Sequence, residues 1–202
     1  MNGNILLANR FHKALSYQQY MERTKIKVLT SDATLFDEEL LKRFEYSRLN
    51  LQRSLRIEKL YSVSPELTSI TTNLPKEHIW VVLTEDWCGD SAQILPCIAK
   101  IAATTTKIEL GILLKDENPD IMDQFLTNGT RSIPKLIGFD RSWNELYRWG
   151  PRPEALQELF LTLKSEGIPK EKLYENLQMW YNNNHGKEIE REFREMLSPF
   201  LV

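Results

Sequence analysis

From residue 78 onward the chain switches repeatedly between two hydrophobic periods, and this switching restricts its fold more than any other feature. The segment His-Ile-Trp-Val-Val-Leu-Thr at 78–84 is almost continuously apolar, as a strand covered on both faces must be. A helix is expected at about 88–103, a strand at 108–114, and a short helix after Pro119 that ends near Asn128-Gly129. Strands at 133–139 and 145–149, joined by the polar turn Asp140-Arg141-Ser142, suit a hairpin. A helix at 153–164 is entered through prolines and left at Gly167. The order β-α-β-α-β-β-α implies parallel pairing first and antiparallel pairing last. An α/β fold is therefore expected, with a mixed central sheet flanked by helices.

The flanks read as helical. Residues 61–77 carry Pro65, Pro75 and a run of Ser and Thr, so a new unit begins near 76. Before that break, Phe36, Leu40, Leu41, Phe44, Leu51 and Leu55 follow a helical stripe. Two more stripes run through Leu173, Leu177 and Trp180 or Tyr181, then Ile189, Phe193, Met196 and Phe200, separated near 182–186. The expected organisation is an N-terminal helical extension at 1–75, an α/β domain at 76–165 and a C-terminal helical extension at 166–202. The terminal helices are expected to pack on the sheet or to join two copies into a homo-oligomer.

Composition removes several function classes. With Lys+Arg 26 against Asp+Glu 28 in 202 residues, no basic excess points to nucleic acid or an anionic membrane. The longest apolar run, Ile79 to Leu83, falls far short of the roughly 20 residues a spanning helix needs. The run at Ile5-Leu6-Leu7-Ala8 is cut by Asn9 and Arg10 and lacks a basic region before it, so no secretory signal is read and a cytoplasmic location is expected. Two cysteines and three scattered histidines make neither a disulfide framework nor a zinc site, and no metal is expected.

Chemistry concentrates in Thr84-Glu-Asp-Trp-Cys-Gly-Asp-Ser-Ala-Gln-Ile-Leu-Pro96, where a strand gives way to a helix at Cys88. A thiolate at a helix N-terminus meets unpaired backbone N–H groups and the positive end of the dipole. Ser91, one turn on, is placed to donate a hydrogen bond to the sulfur, while the Asp90 carboxylate opposes the thiolate. The balance predicts an exposed Cys88 with a pKa modestly below the free-cysteine value of about 8.5. Glu85 and Asp86 read as a solvated acidic loop, Asp116, Glu117, Asp120 and Asp123 as helix-start carboxylates, and His78 as structural. Arg152 is available to a ligand. Cys97 would lie about 13.5 Å from Cys88 along a helix axis. A disulfide allows roughly 4.4 to 6.8 Å between Cα atoms, so Cys97 reads as a buried small hydrophobe.

The stretch Trp87-Cys88-Gly89-Asp90-Ser91, followed by Pro96, resembles the Trp-Cys-Gly-Pro-Cys motif of thioredoxins with its later proline. Arg131-Ser132-Ile133-Pro134 is similar to the segment in which thioredoxins hold a cis proline against the active cysteine. The resemblance implies a thioredoxin-like fold over 76–165. It also implies that Cys88 is catalytic, with Ser91 at the partner position, and that Trp87, Gly89, Asp90, Ile133 and Pro134 line a substrate groove. Two departures bear on activity: Ser91 stands where the family has its resolving cysteine, and Val82 where it buries an aspartate.

A thiol–disulfide oxidoreductase acting through Cys88 alone is the function so implied. It would form a mixed disulfide with protein or small-molecule thiols and disulfides, to be opened by an external low-molecular-weight thiol, and would need no bound cofactor. One alternative is a redox-inactive binding or chaperone-like module using the groove around Trp87, Ile133 and Pro134. A second notes that Cys88-Gly-Asp-Ser91 is similar to the Cys-Gly-Phe-Ser motif of monothiol glutaredoxins, which carry iron-sulfur clusters. The lysine and paired proline those proteins carry upstream are missing here.

Overall fold

The computed structural model describes residues 4–201. Strand β1 (His78–Thr84) is buried along its whole length, which is why its sequence shows no polar alternation. Strand β2 (Ile108–Leu114) lies parallel to it, from His78 opposite Ile108 to Thr84 opposite Leu114. Strand β3 (Lys135–Phe139) pairs antiparallel on the other side of β1, and β4 (Glu145–Trp149) closes the hairpin. The sheet order is β2-β1-β3-β4. Strand β3 starts at Lys135 rather than 133, because Pro134 has no N–H to give to the ladder.

Four helices precede the sheet: α1 (Ile5–Phe11), α2 (Tyr17–Thr30), α3 (Glu38–Leu60) and α4 (Pro65–Thr72). Asp37 caps α3 by accepting from the Leu40 N–H, so the helix starts at Glu38 and leaves Phe36, expected within it, outside, and it runs on past Leu55. The break at 61–77 holds α4, set by Ser64 as cap and Pro65 at its first position. Helix α5 (Gly89–Ala102) joins β1 to β2, and α6 (Pro119–Met122) is a single turn. Helices α7 (Glu154–Ser165), α8 (Lys170–Asn184) and α9 (Lys187–Leu197) follow the hairpin. The result is a mixed α/β fold with helical extensions at both ends.

The sheet separates two apolar clusters, and the alternation of β1 divides its side chains between them. Trp80 and Val82 join Ile94, Leu95 and Ile98 of α5 with Leu177 of α8 and Phe193 of α9. Ile79, Val81 and Leu83 join Leu7 of α1 with Ile121, Met122, Phe125 and Phe139. Phe193 meets the rings of Trp80 and Trp149 edge-on, with centroids at 5.5 and 5.3 Å. Both extensions thus complete the core instead of decorating it.

The N-terminal segment also covers the outer edge of β2. Leu15 and Ile112 exchange backbone hydrogen bonds of 2.9 and 2.8 Å there. This contact requires Gly111, since a Cβ on it would stand 2.2 Å from the Phe11 ring and 2.8 Å from Ala14. The bridge blocks the middle of an edge that would otherwise invite another strand.

Candidate functional site

Cys88 is the residue before α5, in extended conformation, so its thiol sits beside the unpaired N–H groups of the first turn. Its own N–H donates to the Glu85 carbonyl at 3.2 Å, turning the chain out of β1. The thiol donates to the Ile133 carbonyl at 3.4 Å, and the Ile133–Pro134 peptide is cis. Cys88, Ile133 and Pro134 are thereby brought together from β1–α5 and from the entry to β3. Trp87 carries Arg43 of α3 and Lys115 at 5.1 and 4.7 Å from its ring centroid, a cation–π arrangement.

Asp90 and Ser91 lie beneath the extensions. Asp90 is 6% exposed, takes a 2.7 Å ion pair from Arg152 and accepts from the Tyr181 hydroxyl of α8 at 3.0 Å. Arg152, expected to be open to a ligand, is instead committed to Asp90 and rests 4.3 Å from the Phe160 ring centroid. Ser91 is 1% exposed, and its hydroxyl makes no hydrogen bond of ordinary geometry, though it lies close enough to the Cys88 sulfur to favour the thiolate. Burial of the pair holds the Asp90 carboxyl above its usual range, while Arg152 and Tyr181 pull it back.

The expectation of an exposed, acidified Cys88 is corrected here. The residue is only half-exposed and packs against the second apolar cluster. Burial pushes its thiol up to about 11, and the Asp90 charge adds to the rise. Ser91 and the backbone of the first turn pull the other way and are outweighed. Desolvation, which depends on what covers the sulfur, wins over the helix terminus.

The acidic loop is not solvated either. Asp86 is gripped by Lys27 at 2.8 Å and by the Ser47 hydroxyl at 2.7 Å. Glu85 is buried, accepts from the Asp116 N–H at 2.7 Å, and is pushed up to about 7 by its burial. Asp116, Glu117, Asp120 and Asp123 form surface ion pairs with Arg43, Arg23, Arg10 and Arg131. His78 shares a 2.8 Å hydrogen bond with the Tyr147 hydroxyl. Cys97 is buried, donates to the Gln93 carbonyl at 3.6 Å, and is pushed up to about 12 by burial. Both cysteines are free thiols, and Val82 lies in the first apolar cluster.

Sequence reasoning missed Arg53 of α3 and Gln178 of α8. A Cβ on Gly89 would stand 3.6 Å from Arg53 Nη1 and 3.3 Å from Gln178 Nε2. Both are polar positions on amphipathic helices, where the sequence carries no signal until the docking partner is known.

A family model described as thioredoxin matches residues 36–169. The chain belongs to the thioredoxin family. The match takes in α3 and α4 as well as the α/β unit, so helices before β1 fall within the thioredoxin match. Among solved structures, a protein of unknown function from Pseudomonas aeruginosa superimposes with a TM-score of 0.57 at 18% identity. The alignment covers 100% of this chain and 96% of that one. An HIV epitope scaffold gives a TM-score of 0.55 at 17% identity over 96% of this chain and 94% of its own. Both likenesses show the fold. A search of curated proteins finds no match. Among the described residues, no cluster of three or more His, Cys, Asp or Glu side chains could hold a metal ion, and no helix of this thioredoxin-family chain is long and apolar enough to cross a membrane.

Proposed function

We propose that this protein exchanges disulfides through one thiol, Cys88. The thiolate attacks one sulfur of a disulfide, the Cys88–substrate S–S bond forms, and the other sulfur leaves as a thiolate that takes up a proton. A low-molecular-weight thiol, as thiolate, then attacks the mixed disulfide and expels Cys88. Its own sulfur is oxidised into the released disulfide, so electrons balance without a further oxidant. The observation that carries this reading is the placement of the Cys88 thiol at the start of α5 against the Ile133 carbonyl, with a hydroxyl in place of a second thiol at Ser91. Protein and small-molecule disulfides are the partners so implied.

A thiol raised to about 11 is a slow nucleophile at neutral pH. Relative to a thiol of pKa about 8.5, its thiolate is about 300-fold scarcer, while the stronger base recovers about tenfold in intrinsic reactivity. The net penalty is about thirtyfold. That penalty favours a second reading, in which the groove binds extended peptides without turnover. Ser91→Cys separates the two. It should give the protein thiol-dependent reduction of a protein disulfide such as insulin, at least about tenfold above the wild type, because a resolving thiol then sits one turn from Cys88. If the variant stays as inactive as the wild type while folded, the binding module is the better account.

A further inference from the structure

We infer that Arg53 makes this site selective for thiols and disulfides that carry a carboxylate close to the reacting sulfur. The inference rests on the single-thiol reading and names its substrate class. Arg53 reaches from α3 across the first turn of α5, its Nη1 3.6 Å from where a Cβ on Gly89 would stand, one residue from the reactive sulfur. Nine of the twelve arginines in the chain form an ion pair with a carboxylate. Among the described residues Arg53 has no such pair, and it donates to the neutral Asn50 Oδ1 at 2.9 Å.

Asp90, a carboxylate whose charge acts on Arg53, is already engaged elsewhere. Asp90 lends one oxygen to Arg152 and the other to Tyr181. Arg56, one turn along α3, adds a second positive charge whose partners Gln93 and Asn182 are neutral. A half-buried guanidinium beside a second one, offset only by the already engaged Asp90, is a costly arrangement, and an anionic ligand relieves it.

One further group faces the same place, and another lies beside the sulfur. Gln178 is anchored through its Oε1, which accepts from Gln93 at 2.7 Å, and this turns its Nε2 donor toward Gly89. The Ser91 hydroxyl, 1% exposed and without a hydrogen bond of ordinary geometry, lies beside the Cys88 sulfur and acts on its ionisation. A carboxylate over Gly89 would take the Arg53 fork and the Gln178 amide while its thiol or disulfide sulfur lies against Cys88. The dipole of α5 acts in the same direction.

Alkylation of Cys88 by iodoacetate and by iodoacetamide tests this on the full chain, with adducts located by mass mapping. The rate ratio of the anionic to the neutral reagent cancels differences in thiolate content, so it reports local charge. Working at about pH 9 keeps both reactions measurable. Arg53→Gln should lower the ratio about fivefold, equivalent to about 1 kcal/mol. Arg53→Lys should retain most of it, and 0.5 M salt should bring the wild type toward the Gln variant. A ratio unchanged by Arg53→Gln, or a wild-type ratio indifferent to salt, overturns the inference. If the ratio behaves as expected but no disulfide of any charge yields a mixed disulfide, single-thiol exchange fails while the anion selectivity stands.

Discussion

Asp90 occupies the first turn of α5, where a carboxylate favours the helix and opposes a thiolate two residues away. Asp90→Asn should therefore lower the Cys88 pKa, by about one unit, since it removes the charge that adds to the rise. The inflection of alkylation rate against pH reads this directly, and an unmoved inflection would mean that burial alone sets the value. Stability should fall by about 3 to 5 kcal/mol in urea unfolding, because the variant strands a buried guanidinium. Cys88, Ser91 and Pro134 were legible in the sequence because each sits in a motif of fixed spacing. The Cys88 ionisation was not, because it turns on coverage by the 133–134 loop and by neighbours from distant segments. The Asp90 partners Arg152 and Tyr181 lie 62 and 91 positions away, and local pattern cannot pair them.

At the level of elements, helix α8 links the core to the candidate site. Leu177 plugs the first apolar cluster and Tyr181 ties α8 to Asp90, so one helix face joins core to site. Tyr181→Phe should cost about 1.5 to 3 kcal/mol, the range for a hydrogen bond to a charged group. Leu177→Ala should cost about 2 to 5 kcal/mol. Hydrogen exchange should quicken across α8 in both variants before it quickens in β1, and uniform quickening would contradict a separable docking of this helix. Strand β1 was readable from its near-continuous apolar run, the β3–β4 hairpin from its polar turn, α7 from its flanking prolines and Gly167, and α3, α8 and α9 from their stripes. The blocking of the β2 edge by Leu15 was unreadable, since it depends on the absent side chain of Gly111 and two contacts far apart in sequence.

Over the whole molecule, buried carboxyls set how stability responds to pH. Glu85 has a folded value of about 7 against an ordinary 4.5, and Asp90 and Glu192 are raised as well, each chiefly by burial. Between those values these carboxyls bind more protons folded than unfolded, so their contribution makes stability fall as pH rises from about 4.5 to 7, while His78, lowered by its burial, contributes the opposite slope around its ordinary value of 6.5. The exposed Asp32, Asp123 and Asp140 are lowered by hydrogen bonds and contribute the opposite slope at more acidic pH. Glu85→Gln should flatten the fall and add about 1 to 2 kcal/mol near pH 7.5, after allowance for solvent at the loop. Urea midpoints across that pH range would show it, and a variant with the wild-type slope would remove Glu85 from the account. The central claim, exchange through one thiol, is tested most directly by intact mass after treatment with oxidised glutathione. The account predicts one glutathione adduct, mapped to Cys88 and removed by added thiol. A loss of two hydrogens without an adduct would reveal a Cys88–Cys97 disulfide and contradict it.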